Sequence, residues 1–169
     1  ITPARITLRS RFGALLEELG LSESDRISGF SLASAFARFS SCVVRVVWLV
    51  CGFTLVFGPD RGGVIGGLDW AFLMDVGAAP HPVYAPAVPL EAFMLFQLLF
   101  AAFTPALIAG AFAERIKFGA MLLFAALWSV LVYTPIAHWL WGNGWLARIG
   151  ALDFAGGAVV HISAGFSAV

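Results

Sequence analysis

Charge is what this sequence has least of. Asp, Glu, Lys and Arg make up 12% of its 169 residues, about half the share of an ordinary soluble domain. Ten basic residues balance ten acidic ones, so neither nucleic acid nor an acidic partner is indicated. Cysteine is scarce as well. Cys42 and Cys51 sit at the edge of and inside an apolar run, and read as two small buried hydrophobes rather than a disulfide or a metal pair. No charged-then-apolar start with a cleavage site is visible, so no secretory leader is read. The chain opens on Ile1 instead of Met, which suggests an incomplete sequence.

What remains is apolar: 60% of the residues, with a mean hydropathy of +0.92. A surface that apolar belongs in lipid. Four runs stand out. Residues 46–58 follow Arg45, and 92–113 hold 22 residues without a charge. Residues 118–141 hold 24, with His138 the one group that ionises near neutrality, and 154–169 carry only His161. A helix needs about 20 apolar residues to cross a bilayer. The second and third runs meet this. The first does so only if it begins before Arg45, and the fourth reaches the end of the chain. Backbone groups in lipid must pair within their own segment, and no strand-like alternation appears, so the spans are read as helices. Pro105 is expected to kink the second, and Gly110 with its alanine neighbours to offer a small face for close contact.

Six of the ten basic residues lie in the first 45 positions: Arg5, Arg9, Arg11, Arg26, Arg38 and Arg45. The turn Glu114-Arg115-Ile116-Lys117 carries two more. The positive-inside rule puts both regions in the cytoplasm, and the 59–89 and 142–152 loops outside. Residues 5–19 read as a soluble amphipathic helix, with Leu15, Leu16 and Leu19 at helical spacing, and Ser22 as a cap. Residues 28–41 are Ser-rich and give no mechanism.

The most informative string is Ala151-Leu152-Asp153-Phe154-Ala155-Gly156-Gly157-Ala158-Val159-Val160-His161. Asp153 suits an N-cap, meeting free amides at a positive helix end. Gly156 and Gly157 would let another backbone approach. His161 lies about 12 Å further along if the helix is continuous. An ionisable group at that depth is a functional-site candidate, weighed evenly against a neutral histidine bonded to a neighbouring helix. Taken alone, Trp141 at a span end is an interfacial belt residue, Phe96 a lipid-facing ring, and His138 a structural group. His81, between Pro80 and Pro82, is assigned no role. Ser163 is two residues from His161 and so faces another way, which argues against an intramembrane hydrolase. The chain is not read as an enzyme.

The same string resembles the start of the fifth helix in the ammonium transporter (Amt) family. Tyr133-Thr134-Pro135-Ile136-Ala137-His138-Trp139-Leu140-Trp141-Gly142 resembles the end of that family's fourth helix. The Ala111 to Phe118 stretch resembles its turn between helices three and four, and Trp48 to Gly58 the end of its second helix. The motifs occur in family order over residues 46–169. The resemblance implies an all-α membrane protein: a partial chain, with about four transmembrane helices, of an eleven-helix fold built from two inverted halves. Residues 1–45 do not look Amt-like and are set apart as a segment from a mis-started or frame-shifted reading.

The resemblance also implies roles. Phe96 and Phe100 match aromatics of the third helix, with Phe100 at the outer gate. Trp141 matches the tryptophan of an external ammonium recruitment site, and Asp153 the aspartate supporting it. His161 matches the first of two pore histidines. No cofactor is implied. The implied partners are ammonium or ammonia, the lipid bilayer of the cell (inner) membrane, a homotrimer and a PII-type regulator. A ring face attracts a cation, most strongly for Trp. An apolar lumen disfavours the charged form of ammonium, and a histidine can relay the released proton. The alternatives are an inactive fragment of such a transporter and an ammonium sensor.

Overall fold

The computed structural model describes residues 23–112 and 115–169. Helix α1 runs Glu23–Val47, passes through a π-helical turn at Trp48–Gly52 and ends in Phe53–Phe57. Helix α2 is Leu90–Phe112. Helix α3 comprises Phe118–Trp128, a π-helical turn Ser129–Tyr133 and Thr134–Leu140. A single turn, α4, covers Trp145–Arg148. Helix α5 begins as a π-helix at Gly157–Ile162 and continues as Ser163–Ser167. Three stretches are long and apolar enough to cross a membrane: Ser34–Phe57, Leu90–Phe112 and Phe118–Arg148; Gly157–Ser167 is a shorter apolar helix. The helix expected over residues 5–19, the cap at Ser22 and the turn residue Glu114 lie outside the described residues.

The first span does begin before Arg45. Phe36, Ser40, Val44 and Trp48 recur every fourth residue and are all buried, while Arg38 and Arg45 are exposed on other faces. One apolar stripe at helical period fixes which side of α1 meets α2 and α3. In lipid the helices gain little from leaving water, so fitted packing and hydrogen bonds hold the bundle. Trp48 meets Phe53, Phe57 and Tyr133 edge-on at centroid distances of 5.9, 6.4 and 6.3 Å. The small contact face on α2 is made by Ala101, Ala102 and Ala109 instead of Gly110, which is exposed. Just before Pro105, the Thr104 hydroxyl donates to Phe100 O at 2.7 Å, and Ser41 reaches Ala102 O from α1 at 2.8 Å. The cysteines differ from expectation. Both are free, Cys42 is exposed and Cys51 is partly buried. The reason for Cys42 is its position off the α1 stripe.

The 59–89 loop adds two small antiparallel hairpins to the helices, β1 (Asp60–Arg61) with β2 (Ile65–Gly66), and β3 (Pro80–His81) with β4 (Ala85–Pro89). This loop and the 142–152 loop meet at one end of the bundle. Tyr84 donates to Gly142 O at 3.2 Å, Trp139 Nε1 to Val64 O at 2.8 Å, and Trp145 N to Gly63 O at 3.0 Å. Buried Thr54 ties the end of α1 to this layer: its hydroxyl donates to Gly67 O at 2.7 Å and accepts from Trp70 N at 3.0 Å. Thr54→Val keeps the shape and strands both backbone partners. It should destabilise the detergent-solubilised protein by about 2 kcal/mol, read as a lower melting temperature. An unchanged melt would show that water takes over both bonds.

Candidate functional site

Asp153 organises the head of α5. Its Oδ1 accepts from Gly156 N and Gly157 N at 2.7 and 2.8 Å, and its Oδ2 from Ala158 N and Val159 N at 2.8 and 2.9 Å. Four amides that a helix start leaves unpaired thus converge on one carboxylate. Partial burial pushes the Asp153 carboxyl up, but the four N–H bonds outweigh it and hold the group below its ordinary value. The turn requires Gly156 for a different reason than expected. Its φ is +86°, and an added Cβ would lie 2.6 Å from Val160 Cγ2. Among the described residues no foreign backbone approaches Gly157, where an added Cβ would meet only the Asp153 side-chain Oδ1 at 3.9 Å.

The helix begins at Gly157, so Asp153 stands outside it. His161 is therefore about 6 Å along α5 rather than 12 Å. Its ring is exposed on the described chain, and among the described residues no side chain bonds to it. Its backbone N–H bonds to Gly156 O at 2.9 Å.

Trp141 closes α3 and turns toward Asp153, donating from Nε1 to the Asp153 carbonyl at 2.6 Å. The same ring lies edge-on to Phe100 at 5.6 Å, and Phe100 is edge-on to Phe96 at 5.2 Å. Phe96, Phe100, Trp141 and Asp153 thus form one connected set drawn from α2, the end of α3 and the loop leading to α5. His161 shares the α5 element that Asp153 caps, without touching the aromatic set. Phe96 sits at the set's far edge, where it helps line a groove of about 460 Å³ with Arg45, Leu99 and Phe103.

His138 is fully buried and structural. Nδ1 pairs with Val56 O at 2.6 Å and Nε2 with Asp60 Oδ1 at 2.8 Å. Arg148 reaches Asp60 Oδ2 at 2.7 Å. The His138 bond, with help from Arg148 and the Gly63 amide, outweighs desolvation and keeps the Asp60 carboxyl below its usual value. Gly142 is required beside this group: a Cβ there would collide with Val56 O and His138 Nδ1. Sequence reading missed Asp60 and Tyr84. The only local signal was the turn Asp60-Arg61-Gly62-Gly63, because the partner of Asp60 lies 78 residues away.

Long apolar helices, joined at one end by loops and a connected set of aromatic rings, define a multi-span membrane protein. Residues 6–169 match the model of the Ammonium Transporter Family. The chain is 55% identical to the ammonium transporter of Bacillus subtilis over 135 residues, covering 79% of this chain and 33% of that protein. It is 42% identical to a putative ammonium transporter of Methanothermobacter thermautotrophicus over 171 residues, covering 100% of this chain and 40% of that protein. The crystal structure of Candida albicans Mep2 superposes with a TM-score of 0.71 at 45% identity, covering 76% of this chain and 28% of that one. This chain belongs to the ammonium transporter family, and spans 33 to 40% of the length of the two relatives named. The family match begins well before Arg45, and α1 passes through that position without a break.

Proposed function

We propose that the full-length protein carrying this stretch conducts ammonium across the cell membrane, and that the stretch supplies one side of the path. The observation that carries this is the Phe100–Trp141 pair, tethered through Trp141 Nε1 to the residue that caps the His161 helix. Ammonium is recruited against the two ring faces and sheds water there. Cation–π attraction contributes on the order of 2 kcal/mol once water is excluded. Beyond Phe100 the lumen is apolar, so the charged form is disfavoured and a proton leaves. His161 accepts or donates a hydrogen bond to the ammonia that continues, and relays the proton. Potassium has no proton to lose and is rejected by the cost of a bare charge in hydrocarbon. The family resemblance supports a homotrimer, with a PII-type regulator at the end carrying Arg115 and Lys117; both belong to this proposal.

The test is a chimera in which this stretch replaces the matching part of the Bacillus subtilis transporter, expressed in cells lacking their own ammonium uptake. Methylammonium uptake is expected from the chimera and not from the stretch alone. Trp141→Leu should raise the half-saturating concentration about thirtyfold, the equivalent of one desolvated cation–π contact of about 2 kcal/mol. No uptake by a well-expressed chimera would reject the conduction reading. An unchanged half-saturation in Trp141→Leu would reject recruitment at this ring.

A further inference from the structure

Both chain segments that build the mouth are anchored to one carboxylate. Asp60 Oδ1 holds His138, three residues before Trp141 on the last turn of α3, and Oδ2 holds Arg148 at the end of α4, five residues before Asp153. We propose that Asp60 is a positioning residue for cation recruitment: a clasp that fixes the Trp141 ring and the segment carrying Asp153 relative to each other. This rests on the proposed recruitment role of Trp141.

The bonding pattern supports a clasp over an incidental surface pair. The fully buried imidazole lies 2.6 Å from Val56 O through Nδ1 and 2.8 Å from Asp60 Oδ1 through Nε2, so the ring bridges the end of α1 and the Asp60 carboxylate. The same Oδ1 accepts from Gly63 N at 2.8 Å, which shapes the turn whose Gly63 O holds Trp145 N. Arg148 also donates from Nε to Asn143 O at 3.1 Å, pinning the start of the same loop. Tyr84 anchors Gly142 from the other hairpin. The Asp60 side chain therefore joins the end of α3, the β1–β2 turn and α4, and reaches the end of α1 through His138. Among the described residues the Asp60 carboxylate bonds to Gly63, His138 and Arg148 and to no aromatic ring of the mouth, so any effect it has on recruitment passes through position.

In the full-length chimera, Asp60→Ala should speed hydrogen exchange of the Arg148, Ile149, Gly150 and Ala151 amides about tenfold, because the bonds they make within the α4 turn lose their anchor. The half-saturating methylammonium concentration should rise several-fold while maximal uptake changes less than about twofold, the pattern of lost binding geometry. Arg148→Lys keeps the charge and should retain most of both properties. If Asp60→Ala does not accumulate, Asp60→Asn, which preserves shape and one acceptor, carries the same two readouts. Unchanged exchange at 148–151 overturns the clasp, whether or not the chimera transports. Faster exchange with an unchanged half-saturation overturns the link to recruitment while leaving the Trp141 reading standing. A loss of maximal uptake at unchanged half-saturation overturns it too, by placing Asp60 in conduction.

Discussion

Asp153→Asn should abolish measurable methylammonium uptake by the chimera and loosen the head of α5. The substitution is nearly isosteric, so the effect comes from hydrogen-bond polarity alone. The aspartate receives two amides on each oxygen. Asparagine offers one oxygen, and its NH2 group must then face two N–H donors. Two amides lose a charge-assisted bond and confront another donor, which costs about 3 kcal/mol or more at a helix start. Gly156 O still accepts from Val160 N and His161 N, so the helix persists while the turn that leads into it loses its gathering carboxylate. Trp141 is lost with it, because its indole N–H is held by the carbonyl of the same residue. Normal uptake by Asp153→Asn would show that charge and acceptor count at this position are dispensable.

The same geometry sets an acid limit. The folded carboxyl of Asp153 titrates below its unfolded value, so its stabilising contribution is fully present above the ordinary carboxylate range. It is lost only as pH falls through the lowered folded value. Exchange protection of the amides from Gly156 to Val159 should therefore hold from neutrality down to about pH 4 and fall below it. Protection lost already near pH 6 would contradict this carboxylate as its source.

Which parts of this were readable from sequence follows from the range of each interaction. Helices α2 and α3 are long uncharged runs, and a local hydropathy argument finds them. The start of α1 was hidden because Arg38 and Arg45 interrupt the run, although Phe36, Ser40, Val44 and Trp48 already mark one helical face. Period was the better guide there than continuous hydropathy. Asp153 was legible as a cap because its partners lie within six residues. The reason for Gly156 was misread, since a positive φ leaves no trace beyond the glycine itself. The Asp60–His138–Arg148 group was invisible, because its members come together only when the 59–89 and 142–152 loops fold onto the end of α3. The aromatic set was assembled from family likeness, and its edge-on contacts follow from helix packing that no local pattern encodes.

His161→Ala should separate conduction from folding, as no change at Asp153 can. Among the described residues the His161 ring holds no other side chain, and its backbone bond to Gly156 O survives substitution. The melting temperature of the chimera should stay nearly unchanged. Uptake should fall about a hundredfold, the usual size of a lost proton-transferring group. Alanine leaves a wider lumen with no hydrogen-bonding group, so water and bare cations gain entry while ammonia loses its relay. Potassium, without effect on the parent chimera, should then compete with methylammonium. His161→Gln retains a donor and an acceptor but cannot carry a proton through. It should keep potassium out while conducting slowly, which distinguishes relay from simple polarity. If His161→Ala conducts at the parent rate and still excludes potassium, the ring is a bystander at the pore wall and the selectivity must arise at the Phe100–Trp141 mouth.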